Sequence, residues 1–171
     1  MNNLIGKVRP MKRFTALLAV FAVALCCLSA CSQESELRLG TGNDEGMYYQ
    51  FGTLLSKEAQ DNADVPIISV ETTAGSSANL RLLSQGFLDM AIVQADTLND
   101  AYNGTGFFSN SGEYTGYSAV AGLYTEICQI VVPADSDIKT VEDLAGKTVS
   151  LGERESGVLQ NALQVLDAYN L

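Results

Sequence analysis

The stretch Val70-Glu71-Thr72-Thr73-Ala74-Gly75-Ser76-Ser77-Ala78-Asn79-Leu80-Arg81-Leu82-Leu83 decides the fold. It completes a β-branched run over residues 65–73, a strand signal. A loop of threonine, glycine and serine follows. The spacing then predicts a helix over 77–86, with Leu80, Leu83 and Phe87 turned inward and Gly86 just past its end.

The same alternation extends in both directions. Residues 37–40 are short and β-compatible. Residues 47–60 place Met47, Phe51, Leu54, Leu55 and Ala59 on one helical face. The apolar run Met90-Ala91-Ile92-Val93 within 89–95 has the composition of a buried strand, and 96–102 reads as a short helix. A polar loop with four glycines spans 103–116. Beyond it, 117–133 is a long β-rich stretch, 139–145 a short helix and 148–152 a strand. Residues 158–169 form a helix with Val158, Ala162, Val165, Leu166 and Tyr169 in register. Strand–helix–strand alternation with short loops predicts an α/β fold, a mainly parallel sheet flanked by helices. The expected first lobe is 37–133. Residues 134–171 begin a second α/β lobe that ends after one strand and one helix, so a truncated chain is expected. No fixed-period repeat occurs, which excludes a solenoid.

Ahead of the lobe, Lys12 and Arg13 precede an apolar run over 14–28, closed by Leu28-Ser29-Ala30-Cys31. A basic start, an apolar core and small residues before a cut make a secretory signal over residues 1–30, too short to span a bilayer. With cysteine at the cut the motif looks like a lipobox. Cys31 would then carry the acyl chains that hold the protein stably on a membrane. An ordinary signal with an incidental cysteine is the plainer alternative, and Met11 is a second candidate start. Residues 31–36 form the expected tether to the fold.

All 20 acidic residues follow Cys31, against six of the 10 basic ones, so the mature net charge is −14. Such a body argues against nucleic acid and against anionic lipid surfaces. There is no histidine, which excludes His-based nucleophilic catalysis. Cys128 is the lone cysteine beyond the leader and sits in an apolar stretch, where a buried structural thiol is expected. Nitrogen- and sulfur-rich metal sites are therefore excluded.

Three loops share one grammar: Gly40-Thr41-Gly42 before the helix near Gly46, Thr72 to Ser77 before Ala78, and Gly152 to Gly157 before Val158. Each follows a strand and opens a helix. In a parallel sheet such loops gather at the carboxyl edge, where ligands bind. Glycine admits a ligand to the backbone, and helix N–H groups favour an anion. Ordinary caps and turns explain any one loop better than a site does, and it is the three at one edge that point to a site. None fits a phosphate-loop or dinucleotide pattern, so no cofactor is predicted. Tyr48-Tyr49 opens the first helix, where one ring can pack in the core while the other faces the loops. Gln94, Asp96 and Tyr124 close their strands at the same presumed edge.

Together these segments resemble the solute receptors of tripartite ATP-independent transporters, in particular the TAXI subfamily. The resemblance is carried by Leu39 to Gly42 with Gly46 to Gly52, Val70 to Leu83, Asp89 to Asp96, Ala121 to Tyr124, Ile138 to Lys147 and Ser156 to Ala162. It implies a two-lobed extracytoplasmic receptor, without catalytic activity, that closes on a small carboxylate such as glutamate, a related amino acid or a 2-oxoacid. It also implies docking on an integral-membrane permease. Carried onto this chain, the ligand-facing residues are Gly42, Tyr48, Tyr49, Gly75, Ser76, Gln94, Tyr124, Ser156 and Gly157. The chain departs from the family pattern at Asn43-Asp44-Glu45, at Gln50 and at Glu153-Arg154-Glu155. Glu45 would repel a ligand carboxylate or suit an ammonium group, and Arg154 is either a carboxylate partner or a solvated surface charge. The short second lobe predicts impaired binding. A transferase-like enzyme on the same scaffold and a non-binding remnant lipoprotein are the alternatives.

Overall fold

The computed structural model describes residues 36–62 and 64–171. The leader, Cys31 and tether residues 32–35 lie outside them. Glu36, expected in the tether, instead opens the first strand.

The elements run β1 (Glu36–Gly40), α1 (Met47–Gln60), β2 (Ile67–Glu71), α2 (Ser76–Ser84), β3 (Met90–Ala91), α3 (Ala95–Asn103), 3₁₀ turns at Gly106–Phe108 and Glu142–Leu144, and α4 (Gly157–Ala168). The sheet order is β2-β1-β3. Both pairings are parallel, with Leu39 opposite Val70 on one side and Met90 on the other. Parallel neighbours require a crossover, which α1 and α2 supply. The fold is therefore α/β, a small open parallel sheet flanked by helices.

Two apolar clusters hold it. One joins Leu39, Ala59, Ile68 and Ile92, with Tyr48, Phe51, Leu55 and Met90 packed around them. The other joins Leu80, Ala101 and Phe108, flanked by Val93, Leu98, Tyr114 and Tyr117. The faces differ from those the periodicity predicts. Met47 and Leu54 are exposed, and the buried residues of α1 are Gly52, Ser56 and Ala59. The reason is close approach of helix to sheet. A Cβ at Gly52 would lie 2.9 Å from Thr41 Cγ2 and 3.3 Å from Leu39 Cδ2, and Ser56 donates to the Ile68 carbonyl at 2.6 Å. Phe87 is exposed, because Gly86 (φ +75°) turns the chain away after α2 ends. Val158 in α4 and Tyr169 just past its end are exposed, while Gly157 and Gln160 are buried.

The larger departure lies downstream. Residues 117–133 and 148–152, expected as strands, join no ladder. Val120, Ile127 and Val131 are 94%, 77% and 86% exposed. Cys128, expected to be buried, is exposed for the same reason. The helix expected at 139–145 contracts to the turn Glu142–Leu144. Within it, the Asp143 carboxylate reaches back and accepts from the Lys139 and Thr140 amides at 2.8 and 2.9 Å. Those two bonds hold its pKa below the usual carboxylate value.

Candidate functional site

Parallel strands end on one edge, so the loops after β1, β2 and β3 meet there. One side chain fixes all three. Asn79, at 0% exposure, donates to the Thr41 carbonyl at 2.7 Å and the Ile92 carbonyl at 2.9 Å. Its Oδ1 accepts from Thr73 Oγ1 at 2.6 Å. Thr41 Oγ1 in turn donates to the Glu71 carbonyl at 2.8 Å.

The loop ahead of α4 reaches the same edge. The Ala78 amide donates to the Glu155 carbonyl at 3.1 Å. Arg81 grips the Glu155 carboxylate through Nε at 3.1 Å and Nη2 at 2.6 Å. This pairing lowers the Glu155 pKa and raises that of Arg81. A row of amides continues the contact along α3. Gln94 Nε2 donates to Asn161 Oδ1 at 2.9 Å, Asn161 Nδ2 to Asp96 Oδ2 at 2.6 Å, and Gln160 Nε2 to Asp100 Oδ2 at 2.7 Å.

Between these loops lies a cavity of about 340 Å³. Gly46, Met47 and Tyr48 line it at the start of α1, Gly75 and Ser76 at the start of α2, and Ser156, Gly157 and Val158 at the start of α4. The first amides of a helix have no intrahelical acceptor, and the dipole adds partial positive charge there. Three helix N-termini thus open on one hollow. No lysine or arginine lines it, and its acidic groups are Glu126 and Glu153. The Tyr48 hydroxyl donates to Glu126 at 2.9 Å, and its ring meets Tyr124 edge-on at 6.5 Å between centroids. Burial, with Glu126 second, pushes the Tyr48 phenol well above its usual value, which keeps it a neutral donor.

Of the predicted ligand-facing residues, Gly42, Tyr48, Gly75, Ser76, Gln94, Ser156 and Gly157 line this cavity. Tyr124 stands behind Tyr48, outside the lining. Tyr49 is also outside it, and its carbonyl accepts from Thr53 Oγ1 at 2.8 Å. Glu45 and Arg154 are exposed and do not line the cavity. The sequence reading missed Asn79, Glu126 and Glu153 as site residues. Glu126 follows the Ala121–Tyr124 segment by two positions, and that proximity is the only signal that pointed to it.

A larger hollow of about 860 Å³ lies among residues 126–133, 147–151 and α4. Its walls are chiefly aliphatic, with Ile127, Val132, Leu144, Val149, Leu151 and Val165 among them, so it offers less to a charged solute. Among the described residues, no group of three or more His, Cys, Asp or Glu is placed to hold a metal ion. No described helix is long and apolar enough to cross a membrane.

A parallel α/β lobe whose strand-to-helix loops enclose a solute-sized cavity is the architecture of periplasmic-binding-protein-type lobes. A family model described as "NMT1-like family" matches residues 39–171, and the chain belongs to that family. It is a family of solute-binding proteins, not enzymes, and its members are typically extracytoplasmic.

Proposed function

We propose that this protein is an extracytoplasmic receptor for a small carboxylate, of the TAXI type, that delivers its solute to an integral-membrane TRAP permease. In this reading residues 1–30 are a leader, and Cys31 carries a lipid anchor. Residues 37–133 form one lobe and 134–171 the start of a second. The ligand contacts are Gly42, Tyr48, Gly75, Ser76, Gln94, Ser156 and Gly157, with Tyr49 and Tyr124 at the periphery. The observation that carries the proposal is the convergence of the N-termini of α1, α2 and α4 on one 340 Å³ cavity. That volume falls within the range of small-molecule sites. Backbone amides there supply the positive potential that the acidic body lacks. Glu126 on the same wall favours a solute that also bears an ammonium group, hence glutamate or a related amino acid over a 2-oxoacid.

Thermal unfolding with glutamate, other amino acids, 2-oxoglutarate and succinate tests this. At a hundredfold excess over Kd, binding adds about 2.7 kcal/mol of stability, a clear rise in Tm. Gly42→Leu should abolish that rise and leave the ligand-free Tm unchanged. Gly42 lines the cavity, and a Cβ there meets only Tyr48 Cβ at 3.9 Å. A flat panel, or a rise that survives Gly42→Leu, overturns the assignment.

A further inference from the structure

The two hollows of the molecule share a wall. Gln94, Glu126 and Val158 line both the 340 Å³ cavity at the helix N-termini and the 860 Å³ hollow beside α4. The chemistry changes across that wall. On one side are the opening residues of three helices, which favour a negative charge. On the other the walls are chiefly aliphatic, and no aromatic side chain lines them. The charged residues there are Asp96, Glu126 and Lys147, two acids to one base, and Asp96 already accepts from Asn161 at 2.6 Å. A carboxylate on that side meets net repulsion and apolar surface. Glu126 stands at the boundary, bonded to the Tyr48 hydroxyl at 2.9 Å. Val158, also at the boundary, is 62% exposed. It is apolar surface that a solute tail can cover.

An α-amino acid carries the matching set of groups, because its carboxylate, ammonium and side chain leave one carbon in different directions. We infer that the cavity and the hollow form one continuous site for an amino acid with an unbranched alkyl side chain. The carboxylate meets the helix N-termini, the ammonium meets Glu126, and the tail passes Val158 into the aliphatic hollow. The placement of the head group rests on the receptor function proposed above, and the tail site is what the shared wall adds to it. Within the amino acids, the hollow therefore selects an alkyl side chain over the second carboxylate of glutamate.

Isothermal titration calorimetry of the full chain with alanine, norleucine, 2-aminooctanoate and glutamate tests this. Each buried methylene strengthens binding about threefold. Norleucine is three methylenes longer than alanine, so it should bind about thirtyfold tighter. 2-Aminooctanoate should bind tighter again, and glutamate more weakly than norleucine. Val149→Asp puts a charge into the hollow at a residue that is 37% exposed. It should erase the gain from alkyl length and leave the alanine affinity unchanged, which also shows that the fold survives. Val149→Ser should remove part of the gain. Gly42→Leu should abolish binding of all four solutes. Equal affinity for alanine and norleucine overturns the tail site while the receptor function stands. So does a gain that survives both Val149 variants, or glutamate binding more tightly than norleucine. Norleucine binding that is indifferent to Gly42→Leu shows a tail held without its head group, and both readings fall. An absence of binding by all four sinks the amino-acid receptor and the tail site together.

Discussion

Residues 36–108 and residues 117–152 are both rich in aliphatic side chains, yet only the first region builds a sheet. In the first, Leu39, Ile68 and Leu80 are at most 6% exposed. In the second, Val120, Ile127 and Val131 stand largely in solvent. The contrast shows that β-branched composition marks a segment able to pair, while the strand itself belongs to the pair. The first region has partners in register and a buried amide that pins its loops. The second has no ladder partner in register.

The strongest way to break this contrast is to remove the pin. Asn79→Leu deletes three hydrogen bonds, strips the Ile92 carbonyl of its side-chain donor and leaves the Thr41 carbonyl with the Thr73 hydroxyl alone among its side-chain donors. It should cost about 3 kcal/mol, measured by urea unfolding followed in the far-UV. A loss below about 1 kcal/mol would mean that the loops hold themselves.

Acid should act next, and on the first region. Arg38 binds Asp89 at 2.8 Å, and its side-chain and backbone bonds lower the Asp89 pKa from 3.8 to about 2. A depressed folded pKa contributes stability that is fully present above the ordinary carboxylate range and is lost as pH falls through the folded value. Tm should therefore drop between about pH 4 and pH 2. Asp89→Asn should flatten that part of the profile. Glu155, lowered by Arg81, acts in the same direction. An unchanged acid limb in the Asn variant would remove Asp89 from the account.

The smallest effect is expected in the second region. Val131→Thr should shift stability by no more than about 0.5 kcal/mol, because the side chain is 86% exposed. A loss above about 1 kcal/mol would show that this stretch is packed after all, and the contrast would narrow.

Local periodicity made much of the first region legible. The helix expected at 47–60 has those bounds, and the three loops singled out for glycine and serine do converge. The side chains that make them converge were not legible. Asn79 reaches carbonyls 38 and 13 residues away, and nothing local marks a mid-helix asparagine as a tie. The inward faces were misassigned where close helix–sheet packing selected Gly52 and Ser56 over Met47 and Leu54. Strand signals at 117–133 and 148–152 were composition without pairing, and Cys128 was misplaced with them. Glu126 entered the cavity through its bond to Tyr48, a contact between residues 78 positions apart.

Asn79 holds two of its three partners by their main-chain carbonyls. Neighbouring loop positions such as Asn43 and Ala74 can therefore exchange side chains while the frame that presents them is inherited intact. Solute preference in this architecture is free to drift by single substitutions, because the anchor recognises the path of the backbone and is indifferent to what decorates it.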